Sequence, residues 1–104
     1  MTTKSHQETV EFLEGLIGGP LTLGGALSAL RKCDEQSLAE YARILGISRT
    51  HLCDIERGRR SVSLEKAANF ARALGQSEAQ FVRLALQDQV RSAHLKLQVE
   101  VRAA

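Results

Sequence analysis

Three arginines within four residues, Arg57, Arg59 and Arg60, are the side chains of this sequence best suited to a specific chemistry. They flank Gly58, and residues 43–60 hold five arginines against two acidic residues. Because guanidinium groups attract phosphate, such a dense basic cluster favours a polyanionic partner such as nucleic acid. An ordinary solvated charged face is the alternative that the cluster alone leaves open.

Other chemistries lack the residue spacing that they need. No pair of carboxylates, nucleophile with a base, or glycine-rich phosphate loop stands in a recognisable arrangement. The two cysteines and three histidines lack the paired spacing of a zinc site, and His51 and Cys53 would point about 200° apart on a helix. We therefore predict a protein that is not an enzyme, with no cofactor or metal, and with Cys33 and Cys53 as small buried hydrophobic side chains. A redox role for a thiol stays open.

Composition indicates what must position these residues. The 104 residues, 43% hydrophobic and 25% charged, suit one globular domain, and an aromatic content of 4% favours helices over a β-barrel. Two cysteines cannot build a disulfide framework, no secretion signal opens the chain, and no apolar run approaches the roughly 20 residues of a bilayer span. We expect a soluble, reduced, cytoplasmic protein without a membrane partner.

Glycines and capping residues divide the chain into helices. Gly18-Gly19-Pro20 separates a short amphipathic N-terminal helix, carried by Val10, Leu13 and Ile17, from the rest. The stretches Ser37 to Glu40 and Ser77 to Gln80 each match a capping box. The predicted N-caps of five further helices are Thr22, Ser37, Ser48, Ser63 and Ser77, and the predicted terminating glycines are Gly46, Gly58 and Gly75.

Apolar residues recur at helical spacing behind each cap and predict the core. In chain order they are Leu23, Ala26, Leu27 and Leu30; Tyr41, Ala42 and Leu45; Leu52 and Ile55; Leu64, Ala67, Ala68, Ala71 and Leu74; and Phe81, Leu84, Ala85 and Val90.

The last ten residues change to a period of two. Leu95, Leu97, Val99 and Val101 are apolar, and the residues between them are polar, which is the pattern of a half-buried strand. Because nothing else in the chain alternates in this way, the predicted strand pairs with its own copy across a two-fold axis. A frayed tail with accidental alternation is the alternative.

The segment from Ser37 to Arg57 reads as two short helices joined by a three-residue turn, which leaves the second exposed as a rod that fits the roughly 12 Å major groove. Residues 38–75, LAEYARILGISRTHLCDIERGRRSVSLEKAANFARALG, resemble the phage repressor and Cro type, or xenobiotic-response-element-like, helix-turn-helix regulators. The most specific matches are Ala42, Gly46, Ser48, Leu52, Ile55, Glu56 and Gly58. The resemblance implies an all-α, five-helix, repressor-like domain that binds double-stranded DNA.

The resemblance also implies roles within the recognition helix. Arg49, Thr50 and Asp54 match positions that face base edges: Arg49 can donate to guanine N7 and O6, and Thr50 can contact a thymine methyl group or a phosphate. Asp54 either accepts from a cytosine amino group, orients Arg49, or is a solvated residue that pairs with Arg57 or Arg49. His51 is either a phosphate contact or an exposed surface histidine.

Further expected contacts go to the DNA backbone. The stretch Arg57-Gly58-Arg59-Arg60-Ser61 resembles the phosphate-gripping loop of the family, where contacts position the protein without reading sequence. Ser37 offers its hydroxyl and the amides of a helix start to another phosphate, and Ser48 is expected beside the DNA in the same way. Leu38 stands where the family often has a glutamine that contacts the backbone, and it cannot make that hydrogen bond.

Arg31 and Glu56 match a pair that forms a partly buried salt bridge between the first helix and the recognition helix in relatives.

The expected organisation is an N-terminal helix and linker (1–20), a helix-turn-helix domain (21–93) and a dimerisation strand (94–104). The expected function is a homodimeric repressor of a palindromic operator, with its recognition helices about 34 Å apart. An antitoxin that binds a small toxin protein and represses its own operon is the alternative, because the acidic N-terminal segment and the unpaired strand suit docking. The chain leaves no room for a separate ligand domain.

Overall fold

The structure, a computed structural model, describes residues 14–15 and 19–104. Five helices follow residue 19: α1 (Leu23–Cys33), α2 (Leu38–Leu45), α3 (Arg49–Glu56), α4 (Leu64–Leu74) and α5 (Glu78–Ser92). The predicted five-helix, all-α architecture is confirmed. The predicted N-terminal helix falls on residues outside the described ranges, except for Glu14 and Gly15, which are helical.

Each helix begins at its predicted cap. Thr22 and the four serines accept a hydrogen bond from a backbone N–H of the first turn. The capping box of Ser37 and Glu40 is complete, with both reciprocal bonds at 3.1 Å. The predicted box at Ser77 forms only in part: Ser77 Oγ accepts from the Gln80 amide at 3.2 Å, and no return bond from the Gln80 side chain is found in the described part of the chain.

All five helices end in the same Schellman motif, in which a residue with positive φ closes two backbone hydrogen bonds to the last turn. Gly46, Gly58 and Gly75 supply that conformation at the three predicted ends. The other two ends use Glu35 and His94, at φ 55 and 59, where no glycine stands.

All five helices contribute to the core: α4 packs on α5 and α2, α3 packs on α2 and α1, and α1 also contacts α5. Its buried hydrophobic residues are Leu23, Leu27, Tyr41, Ala42, Leu45, Leu52, Ile55, Val62, Ala67, Phe70, Ala71, Phe81, Leu84 and Ala85. Phe70 and Val62 were not predicted. Leu64 is 38% exposed instead of buried, because it directly follows the Ser63 cap at the open end of α4.

Cys33 also departs from its predicted burial. It is the last residue of α1 and is exposed, because the core ends one turn earlier on that helix. Cys53 is half-buried. Neither thiol is a fully buried core side chain, as both were expected to be.

Helix α1 fixes the position of α3 by direct backbone contact. Gly24 lies so close to the carbonyl oxygen of Ile55 that a Cβ at position 24 would overlap it. The start of α1 is anchored on its other side by α5, where the carboxylate of Asp88 accepts from the Leu23 amide at 3.1 Å. Burial raises the pKa of Asp88, although this hydrogen bond and nearby Arg91 act in the opposite direction.

The predicted C-terminal strand is wrong for the described protomer, which has no β-strand among residues 19–104. His94 turns the chain back after α5, and residues 95–104, here called the tail, have no regular secondary structure. Gln87 of α5 takes the place of a neighbouring strand: its Nε2 donates to the Leu97 carbonyl at 2.8 Å, and its Oε1 accepts from the Val99 amide at 2.9 Å.

Candidate nucleic-acid interface

The two sides of α3 differ in exposure. Leu52 and Ile55 face the core and are 0% and 2% exposed, whereas Arg49 and Thr50, at the start of the helix, are exposed. A three-residue connection orients the helix, since Gly46 adopts φ 72 and Ile47 and Ser48 follow it directly. The N-terminal turn of α3 therefore lies on the molecular surface while its inner side is held by the core.

The loop after α3 brings more arginines to the same surface. Arg57, Arg59, Arg60 and Ser61 are all exposed. The amide of Arg59 donates to the carbonyl of Asp54 at 2.8 Å as part of the Schellman motif. Because the backbone amide of Arg59 already donates this hydrogen bond, Arg59 can bind an anion only through its guanidinium group.

Asp54 and Arg59 also meet through their side chains. Arg59 Nη1 lies 3.9 Å from Asp54 Oδ1, and the two side chains are 64% and 33% exposed. The arginine nearest to Asp54 is thus Arg59, whereas the sequence suggested Arg57 or Arg49. Such a long, exposed ion pair contributes at most about 1 kcal/mol and leaves Arg59 able to exchange partners.

His51 lies between the loop and the next helix. Desolvation is the main cause that lowers its pKa; the positive charges of Arg60 and Lys66 lower it further, and Asp54 acts in the opposite direction. Lys66 in the first turn of α4 therefore belongs to the same basic surface. The sequence analysis missed it, although a lysine in the first turn of a helix that follows a basic loop is the signal that could have found it.

The starts of α2 and α3 carry exposed serines. Ser37 Oγ and Ser48 Oγ each accept from the amide three residues later, which leaves their hydroxyl protons available to another acceptor. Leu38 is half-buried and packs against the core, so it covers apolar surface in place of a polar contact.

Arg31 and Glu56 form a bidentate ion pair behind α3. Arg31 Nε and Nη2 donate to the two carboxylate oxygens at 2.8 and 3.0 Å, and Arg31 Nη1 donates to the Gln36 carbonyl at 3.1 Å. The side chains are only 15% and 8% exposed. The hydrogen bond to Glu56 is the main cause that raises the pKa of Arg31. This pair joins α1 to the end of α3, and Arg57, the residue that follows Glu56, lines the same cavity as both side chains.

Comparison with known proteins decides the family. Residues 22–84 match the model of a family described as a helix-turn-helix domain. The chain belongs to this helix-turn-helix family. The match runs from the cap of α1 into α5 and contains both helices of the motif, α2 and α3.

Solved structures of other helix-turn-helix proteins are similar to the chain. The clp gene regulator ClgR from C. glutamicum is 36% identical over 64% of this chain and 85% of its own, with a TM-score of 0.52. The hypothetical transcription factor NHTF from Neisseria is 28% identical over 68% of this chain and 79% of its own. An HTH_3 family transcriptional regulator from Vibrio cholerae is 31% identical over 68% of this chain and 39% of its own; both have TM-scores of 0.52. No curated protein matches the sequence.

These similarities identify the protein as a helix-turn-helix regulator of the xenobiotic-response-element-like type, and such regulators bind DNA and are not enzymes. Among residues 14–15 and 19–104, no group of three or more potential ligands could hold a metal ion. None of the helices in those ranges has the length and hydropathy that crossing a bilayer requires.

Proposed function

We propose that the protein is a sequence-specific repressor in which α3 enters the major groove. The observation that carries this proposal is the division of α3 into a core-facing side and an exposed start with arginine at its first position. Arg49 then donates to guanine, Thr50 contacts a thymine methyl group or phosphate, and Asp54 contributes either a contact to cytosine or the orientation of an arginine.

The surrounding residues hold the DNA backbone in this proposal. Arg57, Arg59, Arg60 and Ser61 follow one strand, and His51 contacts a nearby phosphate. Ser37 and Ser48 donate their hydroxyl protons to phosphates at the starts of α2 and α3. Lys66 extends this surface onto α4 and is supported by its electrostatic effect on His51.

The decisive experiment separates base reading from backbone contact. After the preferred duplex is selected from a random pool, the affinities of Arg49→Ala and Arg59→Ala are measured on that duplex and on random DNA across a salt series. Arg49→Ala should lose about 1 to 3 kcal/mol on the selected duplex alone, whereas Arg59→Ala should weaken both duplexes and reduce the salt slope by about one.

Arg72→Ala is the matched control, because Arg72 is exposed in the last turn of α4, at the other end of that helix from Lys66, and is bonded to Glu78 at 2.6 Å. Its affinity for both duplexes should be unchanged. Equal losses on the selected and the random duplex for Arg49→Ala would refute base reading by this residue.

We also infer that the protein binds a palindromic operator as a dimer, with its two α3 helices about 34 Å apart. The support is apolar surface on the tail, where Leu95 and Leu97 are 52% and 61% exposed. Val99 and Val101 continue this apolar side and are partly buried. No regular strand is required, because the exposed leucines can pack against a second copy directly.

Sedimentation of the full chain tests the dimer. The double variant Leu95→Glu/Leu97→Glu should be monomeric, while Ile44→Glu, at a comparably exposed residue of α2, should behave as the wild type. A wild-type monomer on operator DNA would refute the dimer. The antitoxin alternative stays a prediction, and binding of a small toxin protein to the purified chain is its test.

A further inference from the structure

A cavity of about 350 Å³ lies between α5, the tail and the residues that lead into α1. None of the residues proposed to contact DNA lines it. Its volume is near the lower end of the range of small-molecule sites, about 300 to 1,000 Å³. The side chains that give it its character are Leu21, Arg83, Arg91, Leu95, Lys96 and Leu97.

Arg83 is the most unusual of these residues. It is only 6% exposed, and its Nε and Nη2 have no hydrogen-bond partner in the described part of the protein. Burying a guanidinium without hydrogen-bond partners is strongly unfavourable, so buried polar groups in native proteins are nearly always paired. A buried arginine with two unsatisfied nitrogens in the wall of a cavity therefore indicates an anionic group that completes it.

The charges around the cavity favour an anion. Arg91 already donates to Asp88 at 3.2 Å, whereas Lys96 is in no ion pair with another described residue. Glu14 is the one acidic residue among the described side chains that line the cavity. Burial lowers the pKa of Arg83, and the charge of Glu14 opposes this only in part.

Three leucines and two glutamines, Gln87 and Gln98, form the rest of the cavity lining. Leu21 lines the side nearest α1, and Leu95 and Leu97 of the tail line another. The two hydrogen bonds of Gln87 to the tail backbone fix that second wall against α5. A charged floor with leucine walls suits a ligand that has an acid at one end and a hydrocarbon body at the other.

We propose that this cavity is a binding site for a small amphipathic carboxylate. The carboxylate accepts from Arg83 Nε and Nη2 with Lys96 at the rim. The apolar body packs on Leu21 and on the sides of Leu95 and Leu97 that line the cavity, and the outward sides of these two leucines remain for the second copy. Because the site lies within the single domain, it needs no separate ligand domain. The tail forms one wall, so an occupied cavity should also hold the tail more tightly.

Benzoate is a suitable probe. Benzyl alcohol is the uncharged control of similar shape, and inorganic phosphate is the control that carries charge but has no apolar group. Binding to the full chain is followed by chemical-shift titration of the Arg83 Nε–H and Val99 amide signals at constant ionic strength. Benzoate should saturate and bind at least about tenfold more tightly than either control, because each control lacks one of the two interactions. No saturable benzoate binding, or equal binding of phosphate, would overturn the proposal.

Two variants test whether benzoate binds in this cavity. Arg83→Met should weaken benzoate at least about tenfold, since a charge-assisted hydrogen bond is lost, while its Tm is unchanged or raised because an unpaired buried charge is removed. Lys96→Met, at an exposed residue, should weaken benzoate about threefold. Arg72→Met, far from the cavity in sequence and bonded to Glu78, is the control and should bind benzoate as the wild type does.

Unchanged benzoate affinity in Arg83→Met would overturn the proposal. If Arg83→Met does not fold, Lys96→Met decides the question, and unchanged affinity in that variant would also overturn it.

Discussion

The two helical hairpins of the protein, α2–α3 and α4–α5, share one connection but differ in what holds their second helix. Gly46-Ile47-Ser48 and Gly75-Gln76-Ser77 are both three-residue turns with a left-handed glycine and a serine cap. Their Schellman hydrogen bonds match closely, at 3.0 and 3.2 Å in the first turn and 2.8 and 3.3 Å in the second. The local chemistry of the turn therefore does not distinguish the hairpin that we propose reads DNA from the other one.

The difference lies in the second helices. Helix α3 has eight residues, begins with arginine and has no acidic residue in its first turn, so its helix dipole stays available to a phosphate. Helix α5 has fifteen residues, and Glu78 in its first turn already pairs with Arg72 at 2.6 Å. The first hairpin thus leaves its helix start open to a ligand, whereas the second satisfies it internally.

The hairpins also differ in the contacts that hold their second helix in place. Helices α4 and α5 pack chiefly on each other, whereas the short α3 depends on α1 through Gly24 and the Arg31–Glu56 pair. A helix that must present one side to a ligand has less surface left for packing, so it needs a few strong contacts from elsewhere. Breaking these contacts should affect the first hairpin most.

The largest effect is expected for Gly24→Ala. The new methyl group would overlap the Ile55 carbonyl, and because backbone cannot move aside as a side chain can, α1 must separate from α3. We expect a loss of more than about 3 kcal/mol in the free energy of unfolding, measured by urea denaturation.

Gly25→Ala is the neighbouring control for this change. There the added methyl group meets a side chain, the Thr22 hydroxyl at 3.1 Å, which can shift by a few tenths of an ångström, so the variant should lose far less stability than Gly24→Ala. Equal stability of the two variants would show that the contact of α1 with α3 is not a tight one.

Removing the ion pairs should give the next largest difference in stability between the two hairpins. Glu56→Ala leaves the largely buried Arg31 guanidinium without its bidentate partner and should cost about 3 kcal/mol. Glu78→Ala breaks a pair that is 59% and 51% exposed and should cost less than about 1 kcal/mol. Urea denaturation of both variants at low and high salt checks this order, and similar losses in the two hairpins would contradict it.

Replacing the glycine of either turn with alanine should reduce stability by a similar amount. Gly46→Ala and Gly75→Ala each place a side chain at positive φ, with open space around the new Cβ, so each should cost about 1 kcal/mol. Their thermal midpoints should fall together. A much larger loss for Gly46→Ala would mean that the first turn carries tertiary strain that the second does not.

The smallest effect concerns pH. Because the folded pKa of His51 is lowered from 6.5, the unfolded chain binds more protons, so the contribution of His51 to stability is present above about pH 6.5 and is lost as the pH falls below it. Urea midpoints of the wild type should therefore fall more between about pH 7.5 and about pH 5.5 than those of His51→Gln. His94→Asn, at an exposed histidine outside the DNA surface, should keep the wild-type response, and an identical response in His51→Gln would contradict the assignment.

Much of the local structure could be predicted because its causes are local. The caps at Thr22 and the serines, and the left-handed glycines at 46, 58 and 75, depend on residues within one turn of each helix end. The ends at Glu35 and His94 were not predicted, since glutamate rarely adopts a positive φ and histidine, although enriched there, does so far less often than glycine. The strand prediction for the tail was wrong for a related reason. The alternation of apolar and polar residues is present, but the backbone of the tail bonds to the side chain of Gln87 on α5 and not to another strand.

The candidate site divides in the same way. The order of residues alone predicted Arg49 and the arginine loop as DNA contacts, because charge, capping and the motif around Gly46 depend on neighbouring positions. Only the packed structure places Lys66 near His51 and Arg59 against Asp54. It also places Arg83 in the wall of a cavity, with two nitrogens that no described residue bonds. Periodicity and capping act over a few residues, whereas burial and electrostatic partners depend on which distant segments meet, and only the tertiary structure decides that.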